Sequence, residues 1–181
     1  MSNRWIVTVV GKDRPGIVAG VTEVLYKRGC NLEDSAMTRL EGEFTIMLIF
    51  SAPAKVAEEA LQKAFAPVAK RLHLMVYLKP LSKQETEAPV SAGAPYVISV
   101  YGADRAGIVF HVSQALAKLG ANITDVHTHR SAKGSPSLYL MLLEVEAPPR
   151  LTDQVLTKRL QPLAKRLGVD LNVRTSEANI L

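Results

Sequence analysis

The chain repeats itself. Val9-Val10-Gly11-Lys12-Asp13-Arg14-Pro15-Gly16-Ile17-Val18 returns as Val100-Tyr101-Gly102-Ala103-Asp104-Arg105-Ala106-Gly107-Ile108-Val109. The offset is 91 residues, and it holds through Val21/Val112, Leu25/Leu116, Gly29/Gly120, Asn31/Asn122, Asp34/Asp125 and Arg39/Arg130. It then becomes 95 at Pro53/Pro148, Pro67/Pro162, Lys70/Lys165 and Leu72/Leu167, so four residues enter the second copy between Arg130 and Leu140. A register of matches this long means that one fold is made twice, from about Trp5 to Lys79 and from about Tyr96 to Arg174. The extra residues fall in Ser-Ala-Lys-Gly-Ser-Pro-Ser, which has turn composition and suits a hairpin tip, where insertions disturb a fold least. Between the copies lies a polar stretch, Lys79 to Pro95, with three prolines and a glycine. It reads as a linker and gives domains over 1–80 and 95–181, joined by 81–94.

Within one copy the hydrophobic period changes in a set order. Arg4 to Val10 is apolar and β-branched and predicts a strand. Gly11 to Gly16 is a turn, with Pro15 suited to the first turn of the helix that follows. Ile17, Val18, Val21, Val24 and Leu25 recur at helical spacing, and Gly29 supplies the stop. In the second copy Ile108, Val109, Val112, Leu116 and Leu119 repeat that face. Asn31–Leu40 and Glu43–Ser51 flank Glu41-Gly42 as a hairpin. Pro53 to Arg71 predicts a second helix, which Pro67 should kink or split, and Leu74 to Lys79 a last strand. The order is βαββαβ, twice: an α+β, ferredoxin-like arrangement of one antiparallel sheet with two helices on one face.

The side chains exclude several kinds of chemistry. Cys30 is the only cysteine, so no intrachain disulfide or Cys-based zinc site exists; beside an apolar strand it reads as a small buried hydrophobe. His127 and His129 share a face of a predicted strand, but the counterpart Ala36-Met37-Thr38 has no histidine and no carboxylate or Cys pattern accompanies them. No metal and no cofactor are implied. No Ser/His/Asp order, nucleophile elbow or phosphate loop appears, which predicts a non-enzyme. The net charge of +5 comes partly from Lys70, Arg71, Lys165 and Arg166, which suit helix ends. Phe44 and Phe50 lie in an apolar run and read as buried, which removes the aromatic platform that an RNA-binding sheet needs. Direct nucleic-acid binding is therefore not expected. No run of roughly 18 uncharged apolar residues is present, so no membrane span is expected. Met-Ser-Asn-Arg-Trp leads straight into the first strand without a basic-then-apolar leader, which predicts a cytoplasmic location.

The turn Gly-x-Asp-Arg-(Pro)-Gly-Ile-Val, then a helix, then Gly-x-Asn-(Leu/Ile)-x-Asp resembles the ACT domain, a small-molecule-binding regulatory module. Both copies carry it. A chain of two such units resembles the glycine cleavage system transcriptional repressor family. The resemblance implies binding of a small amino acid such as glycine, homo-oligomerisation, and control of glycine cleavage genes through a transcriptional activator protein. It implies ligand contacts at Gly11, Asp13, Gly16 and Asn31, and at Gly102, Asp104, Gly107 and Asn122. The chemistry fits: helix N-terminal N–H groups suit a carboxylate, and Asp13 or Asp104 can accept from an ammonium. Each residue also has a structural use. Asp13 and Asp104 suit helix caps, Gly16 and Gly107 suit helix–strand packing, and Asn31 and Asn122 can close a turn. Asp34 and Asp125 are expected to face solvent or pair with a base. The alternative function is a ligand-independent interaction module built on the same domains.

Overall fold

The structure is a computed structural model that describes residues 3–82, 93–131 and 137–176. The chain divides into two units, Met1–Ala88 and Pro89–Leu181.

In the first unit, strand alternation decides what faces the core. β1 (Asn3–Lys12) turns Trp5, Val7 and Val9 inward, and β3 (Glu43–Ala52) turns in Phe44, Ile46, Leu48 and Phe50. The helices α1 (Ile17–Tyr26) and α2 (Glu58–Leu72) cover that face with Ile17, Val21 and Leu25 and with Leu61, Phe65 and Val68. β2 (Asn31–Leu40) and β4 (Met75–Leu81) complete an antiparallel sheet of order β2-β3-β1-β4. Glu41 and Gly42 both have positive φ, 52° and 87°, the signature of a two-residue type I′ hairpin.

The second unit repeats this with β5 (Ala94–Ala103), α3 (Ile108–Leu119), β6 (Asn122–Arg130), β7 (Leu138–Ala147), α4 (Asp153–Leu167) and β8 (Val169–Thr175). Its sheet order is β6-β7-β5-β8. Its core gathers Ile98, Val100, Ile108, Val112, Leu116, Met141 and Leu143 with Leu156 and Leu160. The expected doubled βαββαβ fold is present. The four-residue insertion lies largely at 132–136 and the linker largely at 83–92, outside the described residues.

Several details differ from the expectation. α2 begins at Glu58, not Pro53, because residues 53–56 form a turn in which the Val56 N–H donates to the Pro53 carbonyl at 2.9 Å. Pro67 does not split the helix, nor does Pro162 split α4. One missing N–H is offset by buried Leu61, Phe65 and Val68 on either side of the proline. The strand after Cys30 is not apolar in its surroundings: β2 is exposed along its whole length as the sheet's edge. Cys30 itself packs half-buried against the first core, and burial pushes its thiol pKa up.

Both edge strands carry a bulge at the same place. The register slips between Leu32 and Asp34 and between Ile123 and Asp125. Asp34 accepts from the Ser35 N–H at 2.7 Å and Asp125 from the Val126 N–H at 2.8 Å. The paired aspartates of the repeat thus hold the backbone where the bulge disturbs it. Asp125 also pairs with His127, at 2.8 Å.

Candidate functional site

The first turn is tied to the hairpin that contains the second strand in both units. The Asp13 N–H donates to the Gly42 carbonyl and the Asp104 N–H to the Ser137 carbonyl, at 2.8 and 2.9 Å. The Asp13 carboxylate takes Arg39 at 3.3 Å, and the Asp104 carboxylate takes Arg130 at 3.6 Å. This overturns the helix-cap reading of both aspartates: among the described residues each carboxylate faces an arginine of the edge strand, not the N–H groups of α1 or α3. Pro15 likewise lies in the turn before Gly16, not inside α1.

The glycines of the turn have separate duties. Gly16 and Gly107 precede their helices with φ of 91° and 93°. A Cβ on Gly16 would meet nothing within 4 Å, so its role is backbone conformation and not helix–strand packing. Gly11 and Gly102 are the packing glycines. A Cβ on Gly11 would lie 2.7 Å from Leu74 Cδ2, and one on Gly102 would lie 2.9 Å from Val169 Cγ1 and 3.1 Å from the Gly168 carbonyl. Those two residues keep β1 and β5 close to the starts of β4 and β8.

Asp13 and Gly16 line a cleft of about 810 Å³ between the turn, α1 and β2. Its walls are Pro15, Ile17, Val18, Met37 and Phe44, with Arg14 and Arg39 among the polar groups. Asn31 is not part of it. It pairs with Ser51, eight residues along β2 from Arg39, or about 26 Å at strand rise. Asn122 stands in the same relation to Arg130, opposite Glu146. Within one unit, then, Asp13 and Gly16 come together, while Gly11 faces β4 and Asn31 lies at the far end of the sheet. A separate groove of about 490 Å³ runs between α2 and β4, away from the turn.

The repeat already contained Arg39 and Arg130, but nothing in a linear pattern says that a residue 26 positions after an aspartate will face it. Phe44 reads from the sequence only as a core residue, and neither it nor Met37 is marked by the repeat, since Met37 has Thr128 and Phe44 has Tyr139 at the matching positions. In the second unit Tyr139 is half-buried, and burial pushes its phenol pKa up. His127 and His129 stand on the helix-free face of β6, opposite Leu142 and Leu140. Among the described residues, no three His, Cys, Asp or Glu side chains gather as a metal would require. No helix among them is long and apolar enough to cross a membrane.

Two ferredoxin-like units with the same tethered turn define a tandem α+β module architecture. The ACT-domain description matches residues 3–79 and again residues 96–159, and the chain belongs to the ACT-domain family. A UPF0237 protein of Streptococcus mutans is 36% identical over 74 residues, 41% of this chain and 84% of that protein. The glycine cleavage system transcriptional repressor of Escherichia coli K12 is 44% identical over 46 residues, 25% of this chain and 24% of the repressor. Among solved structures, a protein of unknown function from Galdieria sulphuraria superposes with a TM-score of 0.79 at 28% identity. That match covers 98% of this chain and all of the other.

Proposed function

We propose that this protein is a cytoplasmic, non-enzymatic amino-acid sensor that regulates transcription of glycine cleavage genes through a protein partner. The observation that carries the reading is the Asp–Arg pair across each first turn, Asp13 with Arg39 and Asp104 with Arg130. Opposite charges side by side match the head group of a zwitterion. The pair is partly exposed and contributes about 1 kcal/mol or less to folding, so it is free to exchange partners with a ligand. In unit one the Gly16 backbone and the Asp13–Arg39 pair border the same cleft, which supports a head-group site there. Glycine is the ligand nominated by the likeness to the Escherichia coli repressor. Regulation then requires that the amino acid bind the partner-competent state with a different affinity from the free one.

A thermal-shift titration with amino acids tests the sensor. A ligand at a hundred times its Kd should stabilise the native state by about 2.7 kcal/mol. Asp13→Asn and Arg39→Gln should remove the shift if unit one binds, and Asp104→Asn and Arg130→Gln if unit two does. Loss in Asn31→Ala or Asn122→Ala instead would move the ligand to the other end of the edge strand. A partner pull-down that ignores added amino acid would favour the ligand-independent interaction module.

A further inference from the structure

The unit-one cleft has more room, and a more apolar wall, than a glycine head group uses. Ile17 and Phe44 are buried, whereas Val18 and Met37 remain 42% and 60% exposed on facing elements. The two units share the Asp–Arg pair, the left-handed glycine and the strand register, so each serves as the other's control. In unit two the positions of Met37 and Phe44 hold Thr128 and Tyr139, each with a hydroxyl group. The fold therefore does not require an apolar surface there, and in unit one that surface is left open beside a charged pair.

Resting on the amino-acid-sensing reading, we infer that the unit-one cleft selects an α-amino acid with an aliphatic or thioether side chain over glycine. Arg39 takes the carboxylate and Asp13 the ammonium. The side chain lies between Val18 and Met37, over Ile17 and Phe44. Each buried methylene is worth roughly fourfold in affinity, so a leucine side chain only half buried gains about tenfold over glycine.

The test is calorimetric titration of the full chain, freed of carried-over ligand by unfolding in urea and refolding, with glycine, serine, leucine and methionine. The expected result is binding of leucine or methionine at least tenfold tighter than glycine. Met37→Asp or Val18→Asp should abolish that binding with the melting temperature essentially unchanged, and Met75→Asp, at an exposed methionine of β4 outside the cleft, should leave it intact. Glycine or serine binding as tightly as leucine would overturn the inference and leave the sensor standing. Leucine binding that survives both Met37→Asp and Val18→Asp would also overturn it, since the ligand would then lie elsewhere. Silence with all four amino acids, together with a Met37→Asp change in oligomeric state, would mean that a second copy covers the cleft, and would sink the sensor as well.

Discussion

Gly16, in the first turn of unit one, and Gly102, near the end of β5, are each needed for a different reason. Gly16 has open space around it and a φ of 91°, so Gly16→Ala should cost about 1–2 kcal/mol of backbone strain and nothing in packing. Gly102 is crowded by Val169 and the Gly168 carbonyl, so Gly102→Ala should cost about 1–3 kcal/mol through overpacking. Gly16→Asn separates the two effects, because asparagine tolerates the left-handed region better than alanine does. Urea titration of the three variants should find the asparagine variant of position 16 the more stable of the pair. Cys30 supplies a pH test. Burial raises its pKa, so the folded state holds the proton more tightly than the unfolded chain. The stabilisation is complete below the ordinary thiol range and is lost as pH rises through the raised value. Tyr139 acts in the same direction. Between pH 7.5 and 10, wild-type protein should lose more stability than Cys30→Ser; equal losses would show that the thiol is not protected.

Among the elements, the junction between α2 and β4 differs from its repeat. His73 closes α2 at φ 53°, where Gly168 closes α4 at φ 67°. A side chain in that region costs roughly 1 kcal/mol or more, so His73→Gly should raise the urea midpoint of the protein by a small, measurable step. The helices and most strands were legible because burial imposes a period on the residues, as in Phe44-Ile46-Leu48-Phe50. β2 was legible only as the partner of a hairpin, since an edge strand exposed on both faces leaves no period to read. The bulges, the Asp13–Arg39 pair and the true start of α2 were hidden for a related reason. Each depends on which backbone or side-chain groups meet in space, and several sequences satisfy the same local composition. The prolines of α2 and α4 mislead in the opposite direction, because a rule for isolated helices is outweighed by the packing around Phe65 and Leu160.

At the scale of the molecule, each unit closes a core from its own residues, with Val7, Leu48 and Leu61 in the first and Ile98, Leu143 and Leu156 in the second. A unit of this size buries only about 60% of its unfolded surface, which leaves a thin margin of stability. Residues 1–82 expressed alone should nonetheless melt as one cooperative transition by circular dichroism, as should 93–181. A fragment without a sigmoidal melt would show that its core is insufficient by itself.

β1 lies between β3 and β4, so the strand made first waits for both of its neighbours. On a ribosome this sets a schedule. The first sheet cannot close until Leu81 has been added, and 94 more residues separate Leu81 from Thr175, where the second sheet ends. At about 5–20 residues per second that interval is roughly 5–20 s. During it the leading unit stands complete while its twin is still being synthesised. A repeated sequence invites a strand of one copy to pair into the sheet of the other, and a first unit already closed removes that chance before the second set of strands exists.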